Sequence, residues 1–199
     1  MRWLALAFFL SLSANALAGS PLVMPVTGEW IALDGPPCAG RSDGDCAAAN
    51  TRFGFELMPL DAFGRPADSC LNQPVTAPSD GIVVAVLDTF PNLAEAGQHR
   101  FGNHVVIQRS EAEYIVLGSL MHASLKVAVG DRVTAGEIVA RCGFSGASGR
   151  PALHVHMQAE GDILDADSAG LPMRFSNLAV RTPGGCQPTS LLYRGQGTC

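Results

Sequence analysis

Apolar and polar residues alternate with a period of two along most of this chain, and no stretch sustains the 3.6-residue period of an amphipathic helix. Residues 52–57 set Phe53, Phe55 and Leu57 on one side of an expected strand and Arg52, Gly54 and Glu56 on the other. Residues 151–158 repeat the pattern, with Leu153, Val155 and Met157 facing one way and Ala152, His154, His156 and Gln158 the other. Further strands are expected within residues 75–88, 103–109 and 113–117, with a short one at 29–33. Residues 127–140 read as strand, Gly130-Asp131 turn, short strand, Ala135-Gly136 turn and strand. Loops fall at residues 88–99, 119–124, 143–150 and 160–172. The pattern predicts a mostly β protein, an antiparallel two-sheet sandwich.

The two ends follow different rules. Residues 1–18 carry one cation, Arg2, an apolar run over 3–12, and Ala16-Leu17-Ala18 as a small-residue cleavage site. This is the pattern of a secretory signal peptide rather than of a membrane span, and the mature chain is expected to start near Gly19. Residues 19–49 form an irregular arm, 50–175 the β domain, and 176–199 a tail containing Cys186 and Cys199. No later stretch is apolar for long enough to cross a bilayer.

Composition narrows the function. Charged residues are sparse in the 199-residue chain and its formal net charge is −5, which argues against a nucleic-acid partner; Lys126 is its only lysine. Its six cysteines, Cys38, Cys46, Cys70, Cys142, Cys186 and Cys199, all follow the leader, and an even count in an exported chain predicts disulfides. Cys38 and Cys46 are expected to staple the arm, while the remaining pairings stay open.

The histidine strand carries the candidate chemistry. Two imidazoles on one face of a strand are held in fixed directions, as a zinc site requires. The motifs around them resemble, in order, those of the lysostaphin-like M23 metallopeptidases, or LytM-type domains. The match runs through Ala77-Pro78-Ser79-Asp80-Gly81-Ile82-Val83-Val84, Gly102-Asn103-His104-Val105-Val106-Ile107, the paired turns of residues 127–140, Gly143-Phe144-Ser145-Gly146 and His154-Val155-His156. The Gly-Asp turn is also similar to biotinyl and lipoyl carriers, but those need a lysine at a hairpin tip, and Lys126 precedes the turn.

The M23 resemblance implies a zinc ion held by a His and an Asp of an early motif and by one His of the late pair, with two further imidazoles assisting the metal-bound water. It implies peptidoglycan peptides as substrate and, for degenerate members, cell-wall binding or regulation of a separate amidase. In this chain the early motif reads Arg52 and Glu56, and no histidine precedes His99. Glu56 can offer a carboxylate to metal, whereas the guanidinium of Arg52 has no lone pair to give. The late motif allows two registers. In one, Ala152 takes the assisting position and His154 the ligand position; in the other, His154 assists and His156 ligates. Ser119 falls on the third imidazole's place, with His122 three residues on. The resemblance thus assigns Glu56 and His154 to a vestigial metal site, His122 and His156 to proton transfer, and Arg52, Ser145 and Arg150 to binding. His99 and His104 are expected to be solvated, and Asp80 and Asp131 to serve turns.

Three functions follow as expectations: an exported domain at the bacterial cell wall, in a Gram-negative periplasm, that has lost its peptidase activity and binds wall material or an amidase; a divergent active zinc endopeptidase; and a structural envelope protein.

Overall fold

The computed structural model describes residues 19–34, 48–92, 100–147 and 150–199. The leader, His99 and the expected Cys38 and Cys46 staple lie outside the described residues. Within them every regular element is a strand. The twelve are β1 (Trp30–Asp34), β2 (Phe55–Pro59), β3 (Pro74–Thr76), β4 (Gly81–Leu87), β5 (His104–Ser110), β6 (Glu113–Gly118), β7 (Arg132–Val133), β8 (Ile138–Arg141), β9 (Leu153–Gln158), β10 (Gly170–Leu171), β11 (Leu178–Thr182) and β12 (Gly185–Thr189).

One eight-stranded sheet runs β1-β2-β9-β6-β5-β4-β7, with β10 added on β9, and the pairs β3-β8 and β11-β12 form two small ribbons. All ladders are antiparallel. The Val- and Ile-rich β5 and β6 hold the centre because β-branched side chains fit a pleated surface covered on both sides. On one face Val105, Ile107, Ile115, Leu117, Leu153 and Val155 join the main core. On the other, Val106 and Val116 pack with Phe101 and Ile163 in a second, smaller cluster.

The expected strand at residues 52–57 starts at Phe55; Arg52 and Phe53 belong to the preceding turn. Its face assignment holds where the strand exists, with Phe55 and Leu57 buried in the main core. The stretch 75–88 divides into β3 and β4 because Pro78-Ser79-Asp80 turns the chain between them.

Both terminal segments belong to the same core. Leu22, Met24 and Val26 of the arm and Leu178, Val180 and Leu192 of the tail all lie in the main cluster. Cys186 is bonded to Cys199, closing the tail onto the β11-β12 ribbon, and buried Cys70 is bonded to buried Cys142 at the end of β8. No described helix is long and apolar enough to cross a membrane.

Candidate functional site

Strand β9 is buried along its whole length and on both faces. The β2-β9 ladder sets Glu56 directly opposite His154, with Phe55 opposite Val155 and Leu57 opposite Leu153. This geometry puts His154 beside the early carboxylate, while Ala152, just before β9, is buried. His156 sits farther along β9, close over Gly54, where an added Cβ would come within 3.1 Å of the His156 Cβ. Glycine at 54 is therefore what lets the second imidazole lie against the start of β2.

The four polar side chains join end to end. Glu56 Oε1 is 2.7 Å from His154 Nδ1, His154 Nε2 is 2.8 Å from His156 Nδ1, and His156 Nε2 is 2.8 Å from Gln158 Oε1. Gln158 anchors the chain, since its Nε2 donates to the carbonyl oxygens of Glu160 at 2.6 Å and Asp162 at 2.8 Å. Carbonyls only accept, so the amide orientation is fixed and Oε1 must receive the His156 Nε2 proton. The Asn50 amide reaches the same Oε1 at 3.4 Å and also donates to the Ile163 carbonyl.

The direction then propagates. A neutral His156 with its proton on Nε2 can only accept at Nδ1, so His154 donates from Nε2. That leaves one proton to lie between His154 Nδ1 and Glu56 Oε1, because two bare acceptors would repel at this distance. His156 is held neutral: burial pushes its pKa from 6.5 down to about 3, the neighbouring His154 and Arg100 push the same way, and the Gln158 bond resists.

A residue outside the sequence reading closes the site. Phe101 is 3% exposed and lies over both rings, with centroids 4.9 Å from His154 and 5.0 Å from His156. Arg100 stacks over Phe101 at 5.2 Å and donates from Nη2 to Thr51 Oγ1 at 2.6 Å. Ser119, in left-handed backbone geometry at φ 58°, donates its N–H to the Phe101 carbonyl at 2.7 Å. The residue in the resemblance's third imidazole position thus fastens the cover instead. An aromatic just before the Gly102-Asn103 turn was the signal available in the sequence, but an aromatic there reads equally well as ordinary core.

The remaining candidates lie apart from this chain. Ser145 is buried, donates to the Leu120 carbonyl at 2.7 Å and accepts the Asn103 N–H at 2.9 Å, which ties two loops together. His122 is half exposed on a turn, with Nδ1 3.4 Å from Asp88 Oδ1, and its N–H donates to Asn92 Oδ1. Arg52 is exposed, its guanidinium 5.9 Å from the Phe53 ring, and Arg150 is exposed on the loop before β9. His104 is partly buried rather than solvated; its Nδ1 lies 2.8 Å from the Gly102 carbonyl, and burial lowers its pKa despite that bond.

The implied zinc does not fit these residues. Glu56 Oε1 and His154 Nδ1 meet at one point, but the other early-motif residue, Arg52, is an exposed guanidinium, and His154 Nε2 and both His156 nitrogens are engaged elsewhere. Among the described residues no three His, Cys, Asp or Glu side chains gather as a metal site needs. Open space lies beside the sealed rings instead, in a cavity of about 640 Å³ lined by Leu87, Phe90, Phe101, His104, Ile163 and Leu164 among others.

Fold and site together define an antiparallel β domain whose sheet carries a carboxylate–imidazole pair under an aromatic cover. The model of peptidase family M23 matches residues 67–166, half of the chain, and the chain belongs to that family. The match starts after Arg52 and Glu56. Among solved structures, the catalytic domain of a mutant prophage-encoded M23 protein EnpA from Enterococcus faecalis is 23% identical over 77% of this chain and 90% of that one, with a TM-score of 0.47. A putative glycyl-glycine endopeptidase LytM from Ruminococcus gnavus is 15% identical over 76% of this chain and 55% of that one, with a TM-score of 0.49. The antimicrobial peptidase lysostaphin from Staphylococcus simulans is 19% identical over 62% and 45%, with a TM-score of 0.43. The chain thus spans about half the length of the latter two. No curated protein matches the sequence.

Proposed function

We propose that this chain is an exported M23 domain of the bacterial cell wall, in a Gram-negative periplasm, that has given up peptide hydrolysis and binds peptidoglycan peptides or a cell-wall amidase. The observation that carries the reading is the closed chain Glu56–His154–His156–Gln158 beneath Phe101. A zinc peptidase needs three protein donors around one metal and an open fourth position for water. Here the imidazoles are 3% and 1% exposed and bonded to each other, which supports a site closed to metal and substrate. Binding needs neither, and the neighbouring cavity offers apolar walls with the His104 ring and Asp162 at its edge. Membership of peptidase family M23 supports the cell wall as the place of action.

A second reading rests on one contact, the 2.7 Å approach of Glu56 Oε1 to His154 Nδ1, which brings two donors to one point. An active enzyme would recruit a third donor there. The test is the zinc content of the purified, oxidised protein beside His154→Ala and Glu56→Ala, with digestion of and co-sedimentation with peptidoglycan sacculi. We expect no stoichiometric zinc, no released peptides, and binding that Phe101→Ala or His104→Ala weakens. One zinc per chain that both ligand substitutions abolish, together with release of wall peptides, overturns the proposal in favour of the second reading.

A further inference from the structure

The arm leads to a charge pair on the β5-β6 hairpin, a buried arginine and a partly buried glutamate. Arg109 Nη1 lies 3.4 Å from Glu113 Oε2, with the two side chains 2% and 15% exposed. Arg109 Nη2 donates to the Ser20 carbonyl at 2.9 Å and to Ser20 Oγ at 2.6 Å. The Gly19 nitrogen lies 3.3 Å from Glu113 Oε1. Glu113 Oε2 is buried with no hydrogen-bond partner.

The two oxygens differ: buried Oε2 faces only the Arg109 guanidinium, outside hydrogen-bond geometry, while Oε1 reaches the exposed Gly19 amide at long range, so this partly buried carboxylate is poorly compensated. An ammonium in the amide's place would supply a full positive charge and three donors. The residue whose nitrogen occupies that place is the one that follows the Ala16-Leu17-Ala18 cleavage pattern. Its position is held from the C-terminal side, because Leu22 is 1% exposed, its N–H donates to the Arg174 carbonyl at 2.7 Å, and the Val23 N–H donates to the Pro78 carbonyl at 2.8 Å.

We propose that leader cleavage falls between Ala18 and Gly19, and that Glu113 is a binding site for the α-ammonium this releases. A leader peptidase adds water across the Ala18–Gly19 peptide bond. The hydroxyl goes to the Ala18 carbonyl carbon, which leaves as a carboxylate, and its proton together with the water's second hydrogen leaves Gly19 as an ammonium. The new charge sits between the Glu113 carboxylate and solvent, with Arg109 as the second cation on the same acid. Processing is thereby coupled to folding: the exported chain gains an ion pair that the precursor cannot form.

The test begins with the N-terminal sequence of the exported protein, which must start at Gly19. Chains starting at Gly19 and at Ala18, both with disulfides formed, are then melted in wild-type and Glu113→Gln backgrounds. One extra residue moves the ammonium by up to ~3.8 Å, beyond ion-pair reach. We expect the Gly19 chain to melt about 1–3 °C above the Ala18 chain with Glu113 present, and this gap to vanish in Glu113→Gln. The α-amine should also react about tenfold more slowly with an acylating reagent at neutral pH in the wild type than in Glu113→Gln. Cleavage at another bond, or an equal gap in both backgrounds, would overturn the proposal.

Discussion

Acid is the sharpest probe of the buried histidine chain. His156 has a folded pKa of about 3 against an ordinary value of 6.5, so between these the unfolded chain binds a proton that the folded one refuses. The sign follows: the contribution is fully present above pH 6.5 and is lost as pH falls through the window toward 3. One proton of difference costs about 1.4 kcal/mol per pH unit, which comes to about 2 kcal/mol between pH 7 and pH 5. His104, whose pKa is also lowered by burial, adds in the same direction. The assay is urea unfolding of the disulfide-intact protein at half-unit intervals from pH 7.5 to 5, following the midpoint at constant slope. The control is His156→Leu, which starts lower because His154 Nε2 loses its acceptor, at a cost of about 1–3 kcal/mol. The comparison rests on the slope, not the starting value. The wild type should lose about 2 kcal/mol more than His156→Leu over this range. Equal losses would refute the argument that His156 is held neutral by its burial and its bond to Gln158.

Two further outcomes follow from the packing. Phe101→Ala removes a ring that is 3% exposed and covers both imidazoles, so stability should fall by about 3–5 kcal/mol; in the same variant His154 and His156 should become reactive to an imidazole-acylating reagent that leaves them untouched in the wild type, read by peptide mass. Replacing Cys70 and Cys142 together by alanine opens a link across a sequence separation of 72 residues, and by loop entropy should cost about 4 kcal/mol, measured as a lower urea midpoint.

How much of this was legible in the sequence depends on the range of the interaction. Alternation located the strands because a strand half-covered or wholly covered by core must place its apolar residues at every second position. It misplaced the start of β2, since Arg52 and Phe53 keep the alternation while the Thr51 carbonyl, accepting the Gly54 N–H at 2.8 Å, bends the chain into a turn. Ser145 carried a motif position that suggested binding, yet the hydroxyl bridges two loops, a partnership between residues 42 and 25 positions apart that no local pattern encodes.

The order of the motifs, the mostly β fold and the absence of a histidine before His99 were determined by the sequence alone, because they rest on residue identity and local period. Only the tertiary structure decided the register of β2 against β9, which faces Glu56 with His154, since a shift of one residue would turn every side chain of β9 to the opposite face. It alone also decided that Gln158 orients the hydrogen-bond chain and that Phe101 seals it. These depend on side chains brought together across the sheet and from a distant loop, and such contacts are set by the packing of the whole core rather than by any neighbour along the chain.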